Sequence, residues 1–246
     1  MHEDPNRVSV GNARVHVTTF EDAVEALLNA REREIGSVRL VNAWCVVLAE
    51  DDDAYRQVVN GPGLSLPDGA PVVAAMRKQS GGESAQRVRG PSLFEAVLER
   101  GQHTELRHFL LGGAPDTLEA LIAKIGAKYP DATIAGSWSP PFVPLDDATT
   151  TRAAEMATSA RADIIWVGMG APKQDILAAR IAERTGRTAV GVGAAFDFLA
   201  GTVREAPVWM QRVGMEWLFR LLAEPRRLWK RYLVGNVRFL FIAGRS

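Results

Sequence analysis

This 246-residue chain has little cysteine, little histidine and no long apolar run. Its single cysteine, Cys45, excludes an internal disulfide framework and a cysteine-rich metal site. Because Cys45 lies in an apolar segment, we interpret it as a buried structural thiol rather than a nucleophile. The histidines show no metal-ligand spacing, which favours structural or surface roles for all four: His2, His16, His103 and His108.

No apolar run reaches the roughly 18 residues that a membrane-spanning helix needs. The segment from Met1 to Pro5 also lacks the basic-then-apolar layout of a signal peptide. We therefore expect a cytoplasmic protein. A hydrophobic content of 47% and a charged content of 24% exclude disorder as the main state, and the length suits one large core with a small addition.

The formal net charge is zero, with 29 basic and 29 acidic residues, but the charges are unevenly distributed. Residues 204–246 contain nine basic and three acidic residues, a net +6, which leaves −6 for the rest of the chain. A basic segment that also carries tryptophans, attached to an acidic body, predicts an anionic surface or an anionic ligand as partner.

Short apolar runs alternate with helical patterns along most of the chain. A first strand is predicted at 8–17, followed by a helix from Thr19 to about Arg31, and a long helix is predicted from Asn42 to about Asn60. The runs from 38 to 193 end in Asn, Asp-Gly, Gly-Gly or Gly-x-Gly, and they predict strands at 38–42, 64–67, 107–111, 133–136, 163–168 and 188–192.

This alternation predicts an α/β fold, because parallel strands need crossovers of about a dozen residues. We expect a Rossmann-like, mostly parallel sheet with helices on both faces, plus a C-terminal helical appendage. The domain boundaries would be 1–203 for the core and 204–246 for a basic amphipathic appendage. Ligands bind beyond the carboxyl ends of the strands in such sheets, so the glycine-rich strand ends should form the site.

The most informative junction is 163–175, where an apolar run ends in a glycine-rich turn before a helix. Gly168 and Gly170 would let a ligand approach the backbone, and Pro172 suits the start of a helix. Backbone N–H groups at that start would attract an anion, with Lys173 and Gln174 supplying a cation and an amide. The motif is neither GxGxxG nor GxxxxGK[ST], so a tight turn without a ligand is the alternative.

The C-terminal segment changes in character after Gly201. Trp209, Val213, Trp217 and Leu221 recur every four residues, which predicts one amphipathic helix that Pro225 ends. That helix could simply pack on the core. In 226–241, aromatic residues alternate with cations, which favours a role at the membrane surface or in closing over a ligand.

Several separated blocks together resemble the WecG/TagA/CpsF glycosyltransferase family over about residues 38–240. The blocks are Asn42, the turn 66–69, and the segments 168–174, 191–201 and 216–227. The resemblance implies inverting, metal-independent transfer of a sugar from a UDP donor to a polyprenyl-diphosphate-linked acceptor. It also implies peripheral attachment to the inner face of the cell membrane, in synthesis of cell-wall or surface polysaccharide.

The same resemblance implies no cofactor and no nucleic-acid partner, and it leaves homo-oligomers possible. N-acetylmannosamine, its uronic acid, glucose and glucuronic acid are all plausible donor sugars. Asp68 matches the proposed general base and Asn42 lies in the catalytic pocket. The expected donor-binding residues are Gly69, Arg87, Gly112, Gly113, Gly168, Gly170, Pro172, Lys173, Gln174, Gly193 and Asp197. The expected diphosphate-binding arginines of the appendage are Arg220, Arg227 and Arg231.

Elementary chemistry agrees with these roles. Inverting transfer needs one carboxylate to take a proton from the attacking hydroxyl, and fixed cations can meet the charge of the departing diphosphate. Asp68 as a mere turn residue is the alternative. The acidic run 51–53 is interpreted as structural, Arg89 is equally a solvated neighbour, and Asp197 contacts the donor or only holds its loop.

Two departures from the family pattern are visible. Ser92 stands where Asp is common, and Glu205 stands where Arg is common, so the cationic appendage should lose one charge. Two other functions stay open at this point. One is a nicotinamide-dependent oxidoreductase that uses 191–195 as its dinucleotide turn, although the expected acidic residue has no convincing counterpart. The other is a non-catalytic membrane adaptor built on the basic segment.

Overall fold

A computed structural model describes residues 6–79, 81–141 and 145–245, and the side chains of Arg212 and Arg227 lie outside that description. Within these residues, six strands form the main sheet: β3 Ser37–Val41, β4 Leu64–Pro67, β5 Arg107–Gly112, β6 Thr133–Trp138, β7 Ile164–Gly168 and β8 Thr188–Gly191. Their spatial order is β4-β3-β8-β7-β5-β6, and every neighbouring pair is parallel. The predicted parallel sheet is confirmed.

The single strand predicted at 8–17 is wrong, because this segment forms an antiparallel hairpin of β1 Arg7–Val10 and β2 Ala13–His16. Gly11, at φ +56°, permits the tight turn between them. The hairpin packs against the β4 edge of the sheet, where the Ser65 N–H donates to His16 Nδ1 at 2.9 Å. One edge of the sheet is thereby covered.

The helices follow the strands in the expected alternation. Those before the C-terminal segment are α1 Phe20–Leu28, α2 Ala43–Asp51, α3 Asp53–Asn60, α4 Ala70–Met76, α5 Gly90–Arg100, α6 Pro115–Lys128, α7 Asp147–Ser159, α8 Lys173–Thr185 and α9 Ala195–Ala200. A short 3₁₀ turn, Gly101–His103, follows α5. The C-terminal segment contains α10 Val208–Arg212, α11 Glu216–Ala223, α12 Pro225–Trp229, a π-helical turn Lys230–Val234 and α13 Gly235–Ala243.

Capping side chains explain several helix starts. The Thr19 hydroxyl and the Asp22 carboxylate form the predicted capping box of α1. The single helix predicted up to Asn60 is wrong, because Asp52 is extended and its carboxylate caps a second helix by accepting from the N–H groups of Ala54 and Tyr55. The acidic run 51–53 is therefore structural, as predicted.

Helices cover both faces of the sheet, and the side chains of β7, which alternate between the two faces, contact helices on each side. Ile164 and Trp166 pack into the core formed with α1, α5, α6 and α9. Ile165 and Val167 point to the opposite face and pack against α7 and α8. Trp166 Nε1 donates to Nδ1 of the buried His108 at 3.1 Å, so this histidine is structural.

The C-terminal segment departs from the single helix predicted across Trp209 to Leu221. Gly214, at φ +74°, breaks it into α10 and α11, and a Cβ at Gly214 would lie 3.2 Å from Cβ of Ala70. The corner between the two helices therefore lies against the start of α4. None of the helices in the described ranges combines the length and the low polarity needed to cross a lipid bilayer.

Candidate active site at the carboxyl rim of the sheet

Asp68 follows β4 directly, at the rim where the carboxyl ends of all six strands meet. Its N–H donates to the Val41 carbonyl at 2.9 Å, which fixes the turn against the end of β3. The residue is half-buried, and no described residue hydrogen-bonds to its carboxylate. Burial raises the pKa of Asp68 above its ordinary 3.8 and outweighs the nearby positive charges of Arg87, Arg89 and Arg231.

Arg87 joins this turn to the C-terminal segment. Its Nε donates to the Asp68 carbonyl at 2.6 Å, and its Nη1 donates to the Gln211 carbonyl at 3.2 Å. Its Nη2 forms an ion pair with Glu216 Oε2 at 2.8 Å. Each of the three guanidinium nitrogens thus has a partner in the protein, and these partners lie on both sides of the junction between core and appendage.

Arg89 lies beside Arg87, because an extended backbone points alternate residues the same way. It is only 8% exposed, so the interpretation as a solvated neighbour is wrong. Its Nη2 pairs with Glu216 Oε1 at 2.7 Å and also with Glu205, and its Nη1 lies 3.5 Å from Ser92 Oγ. Both departures from the family pattern, Ser92 and Glu205, therefore contact this one arginine.

Asn42 ends β3 and caps α2, since its Oδ1 accepts from the N–H groups of Trp44 at 3.1 Å and Cys45 at 3.3 Å. Gly69, at the start of α4, lies against it: a Cβ at Gly69 would sit 3.5 Å from Asn42 Cα. The two strand ends that carry Asn42 and Asp68 are therefore in contact. Cys45 is buried, as predicted, and burial raises the pKa of its thiol to about 12.

Glycine turns follow β5 and β7, and the chain then leaves toward opposite faces of the sheet. The helix after β5, α6, packs on one face, whereas the helix after β7, α8, packs on the other. Adjacent strands that diverge in this way create a crevice at their carboxyl ends, the usual ligand position in an open α/β sheet. The crevice is bordered by four of the predicted donor-binding residues: Gly112, Gly113, Gly168 and Gly170.

Close packing dictates glycine at two of these positions. A Cβ at Gly168 would lie 2.5 Å from the ring of Phe196, and one at Gly112 would lie 2.8 Å from the Gly168 carbonyl oxygen. Gly170, at φ +78°, has open space around it instead. The part of the crevice that a ligand can reach is therefore the backbone that precedes Pro172, next to the exposed side chain of Lys173.

Gln174 is buried behind the crevice, with 4% of its surface exposed. Its Oε1 accepts from the N–H of Gly170 at 2.8 Å and from the N–H of Gly193 at 2.9 Å. One side chain thus ties together the turns that follow β7 and β8. Any contact between Gln174 and a donor stays a prediction, because its oxygen already has two partners within the protein.

Asp175 supports this arrangement from the adjacent position. It is 1% exposed and accepts from the Tyr55 hydroxyl at 2.7 Å. A Cβ at Gly191 would lie 2.9 Å from Asp175 Oδ1 and 3.0 Å from Gln174 Nε2, so only glycine leaves room there. Burial raises the pKa of Asp175 to about 6, although the nearby Arg39 and Arg231 oppose that shift.

Of the three predicted arginines of the appendage, Arg231 lies near the rim and Arg220 lies against α9. The Arg231 charge acts on Asp68, Cys45 and Asp175, residues that follow β4, β3 and β7. Arg220 lies 5.7 Å from the centre of the Phe198 ring, a cation–π distance. Nε of each arginine is buried without a hydrogen-bond partner in the described part of the chain. The Arg227 side chain lies outside the described residues.

Asp197 lies on α9, and its carbonyl accepts from Thr202 at 3.0 Å and Val203 at 3.3 Å, which holds the loop after the helix. Whether its carboxylate contacts a donor stays a prediction. No three His, Cys, Asp or Glu side chains within 6–79, 81–141 and 145–245 cluster as metal ligands would.

A model of the family described as "Glycosyl transferase WecG/TagA/CpsF family" matches residues 8–246. The chain belongs to the WecG/TagA/CpsF family. Its members are glycosyltransferases of cell-wall polysaccharide synthesis, so this protein is one too. Family membership decides against the nicotinamide-dependent oxidoreductase and against the non-catalytic adaptor.

For this WecG/TagA/CpsF member, sequence reasoning missed the ion-pair partners at the rim. The sequence identified Glu216 only as part of the block 216–227 that resembles the family. It identified Glu205 only as a position where the arginine common in the family is missing. The spacing of Arg87 and Arg89, two residues apart before a Gly-Pro, was the available signal, since alternate residues of an extended segment point to the same side. Their partners lie 116 to 129 residues away, and no local pattern reveals them.

Proposed function

We propose that this protein is an inverting, metal-independent hexosyltransferase that moves a sugar from a UDP donor to a polyprenyl-diphosphate-linked saccharide. The family supplies the reaction class. The observation that supports the finer proposal is the Asp68 carboxylate, which is half-buried at the rim, has no hydrogen-bond partner among the described residues, and lies among four charged side chains.

Asp68 takes the proton from the acceptor hydroxyl while that oxygen attacks the anomeric carbon of the donor. The new C–O bond forms as the bond to UDP breaks, and the electron pair leaves with the diphosphate. Attack from the face opposite the leaving group inverts the anomeric configuration. A single carboxylate suffices for this step, and burial supports its basicity by disfavouring the ionised form.

The charge that develops on the leaving diphosphate needs fixed positive partners. Arg231 suits this role because its charge acts at the ends of β4, β3 and β7 together, and because its Nε is buried without a partner in the described residues. Arg220 approaches from the side of α9. Guanidinium groups bind phosphate oxygens in a fork geometry that a lysine cannot reproduce.

The strand order suggests how a UDP-sugar would lie. The crevice between β5 and β7 suits the nucleoside, and Asp68 lies three strands from β7, about 14 Å at the usual strand spacing. A donor stretched along the rim would then cross the ends of β8 and β3 with its diphosphate, below Arg231. Its sugar would reach Asn42 and Asp68.

The outer face of the last helices supports attachment to an anionic membrane surface. Trp229, Leu233, Val237 and Phe241 are each between 45% and 68% exposed and recur every four residues. Exposed cations flank this stripe in the sequence: Arg226, Lys230 and Arg245. An apolar stripe bordered by basic residues suits a helix that lies in the lipid interface, where a polyprenyl-linked acceptor resides.

The proposal is tested by measuring UDP release from a panel of UDP-sugars with a short lipid-diphosphate-linked acceptor, with and without EDTA. We expect turnover with one hexose-type donor, dependence on the acceptor, and the same rate in EDTA. Absence of UDP release with every donor, or loss of activity in EDTA that Mg²⁺ restores, would contradict it.

A further inference from the structure

Glu216 occupies an unusual place for an acidic residue in a basic appendage. It begins α11, is 14% exposed at its side chain, and lies between the two arginines nearest Asp68. Its Oε2 accepts from Arg87 Nη2 at 2.8 Å, and its Oε1 accepts from Arg89 Nε at 3.0 Å and from Arg89 Nη2 at 2.7 Å. One carboxylate thus bridges two guanidiniums.

Arg87 extends this bridge to the reacting residue, because its Nε donates to the Asp68 carbonyl at 2.6 Å. A continuous chain of contacts therefore runs from the C-terminal segment through Glu216 and Arg87 to the Asp68 turn. The Gln211 carbonyl, which accepts from Arg87 Nη1, holds the same arginine from α10. These contacts connect α11 to the Asp68 turn.

We propose that Glu216 is a positioning residue for the transfer: by holding and neutralising Arg87 and Arg89, it keeps both guanidiniums off the Asp68 carboxylate, which stays free to accept a proton. This inference rests on the proposed role of Asp68 as base. The appendage must then be docked on the core through Glu216 for Asp68 to act as the base.

The charges around Asp68 support this role. Arg87, Arg89 and Arg231 each lower the pKa of Asp68, whereas burial and the Glu216 charge raise it. Without Glu216, Arg87 would lose its ion-pair partner next to the unpaired carboxylate of Asp68. We expect the freed guanidinium to pair with it, which would weaken the base and block its approach to the acceptor hydroxyl.

Glu205 offers a matched control. It also pairs with Arg89, but it forms no ion pair with Arg87, and its side chain is 35% exposed compared with 14% for Glu216. Solvent screens its charge more strongly, and Arg87 keeps its partner when Glu205 is changed. Glu205→Gln therefore removes one carboxylate from the same cluster and leaves the link to Asp68 intact.

The experiment compares the pH dependence of kcat/KM for the full-length wild type, Glu216→Gln and Glu205→Gln. For Glu216→Gln we expect the acid limb to move to lower pH and the plateau to fall roughly 10- to 100-fold. For Glu205→Gln the acid limb should stay in place. Glu216→Asp, which keeps the charge, should keep the wild-type limb even where its plateau is lower. It also covers the case in which Glu216→Gln fails to fold.

The inference would be overturned if Glu216→Gln left the acid limb in place. It would also be overturned if Glu205→Gln moved the acid limb as far as Glu216→Gln does. An acid limb that Glu216→Asp moves as far as Glu216→Gln would do the same. Asp68→Asn, assayed in parallel, distinguishes failure of the proposed function from failure of the proposed role of Glu216. If Asp68→Asn is fully active, the proposed function itself fails. If it is inactive while Glu216→Gln keeps the wild-type limb, only the role of Glu216 fails.

Discussion

Two backbone N–H groups at different strand ends share one acceptor, the amide oxygen of Gln174. The sequence places a glutamine at the first turn of α8, where a ligand contact is the natural hypothesis. It cannot show that the turn after β8 folds back within hydrogen-bond distance of that side chain. The residue therefore has a positioning role that only tertiary structure reveals.

Gln174→Ala should destabilise the protein by about 1–3 kcal/mol, because two half-buried backbone N–H groups lose the acceptor that they share. Urea denaturation measures this change in the free energy of unfolding. Arg180→Ala, at an exposed position of the same helix, is the control and should change stability by no more than about 0.5 kcal/mol. Equal effects of the two substitutions would argue against the shared acceptor.

The buried Asp175 should make stability fall as pH rises. Burial raises its pKa to about 6 in the folded protein, from an ordinary 3.8, so between these values the folded state binds more protons than the unfolded state. Stability from this group is present below about pH 4 and is lost as pH rises through 6. Burial lowers the pKa of His108 to about 4, which acts in the opposite direction.

Comparing wild type with Asp175→Asn isolates this effect, since the His108 contribution is common to both. Relative to wild type, the variant should gain about 2 kcal/mol of stability between pH 4.5 and pH 7, at 1.36 kcal/mol per pKa unit. Urea unfolding at the two pH values measures the difference. A stability difference that does not change with pH would show that Asp175 does not titrate in this range.

At the scale of elements, the last helices dock on the core through a close approach at Gly235. A Cβ there would lie 2.9 Å from Cε3 of Trp44, on the first turn of α2. Further along, Arg238 pairs with Asp51 at 2.5 Å and Phe239 is buried in the core. The π-helical turn directly before α13 carries Arg231, so the docking of α13 on the core influences where that charge lies.

Gly235→Ala should push the helix away from α2 and lower kcat, because Arg231 would be displaced, and should also lower the melting temperature. Gly126→Ala is a matched control on α6, where a Cβ meets nothing within 4 Å. That substitution should stabilise the protein by up to about 1 kcal/mol through helix propensity and leave kcat unchanged. Steady-state assays and thermal unfolding of both variants check this. Wild-type kcat in Gly235→Ala would exclude the coupling.

The elements themselves were largely predictable from local patterns. Five of the six sheet strands fall where largely buried apolar runs end in glycine, Asn or Asp-Gly. The exception is β6, which runs past Gly136 to Trp138 and is at most half-buried. The errors lie where one residue decides the local geometry: Asp52 caps a new helix, and Gly214 adopts a positive φ. The pairings across the rim, such as Glu216 with Arg87, join residues more than 115 positions apart and leave no local signal.

At the scale of the whole molecule, apolar exposure is concentrated in one region. Of the large hydrophobic side chains that are exposed in the described residues, all but Ile122 lie between 208 and 241. The same region holds the excess positive charge seen in the sequence. Both properties favour attachment to an anionic lipid surface, with the rim and its arginines on the side of the appendage.

Val237→Glu and Phe241→Glu should each weaken binding to vesicles that contain anionic lipid, roughly tenfold or more, because a charge enters the apolar stripe. Ile122→Glu is the control, since this residue is exposed on α6, away from the stripe. Co-sedimentation with vesicles at low and high salt measures binding. Equal retention of all three variants would contradict a membrane role for this face.

Asp68 is the residue on which the whole account depends, and turnover by Asp68→Asn tests it most directly. Single-turnover and steady-state UDP release, with the active donor and a lipid-diphosphate-linked acceptor, should show a loss in kcat of roughly 10²- to 10⁴-fold while UDP binding is retained. A folded Asp68→Asn variant with wild-type kcat would contradict the account.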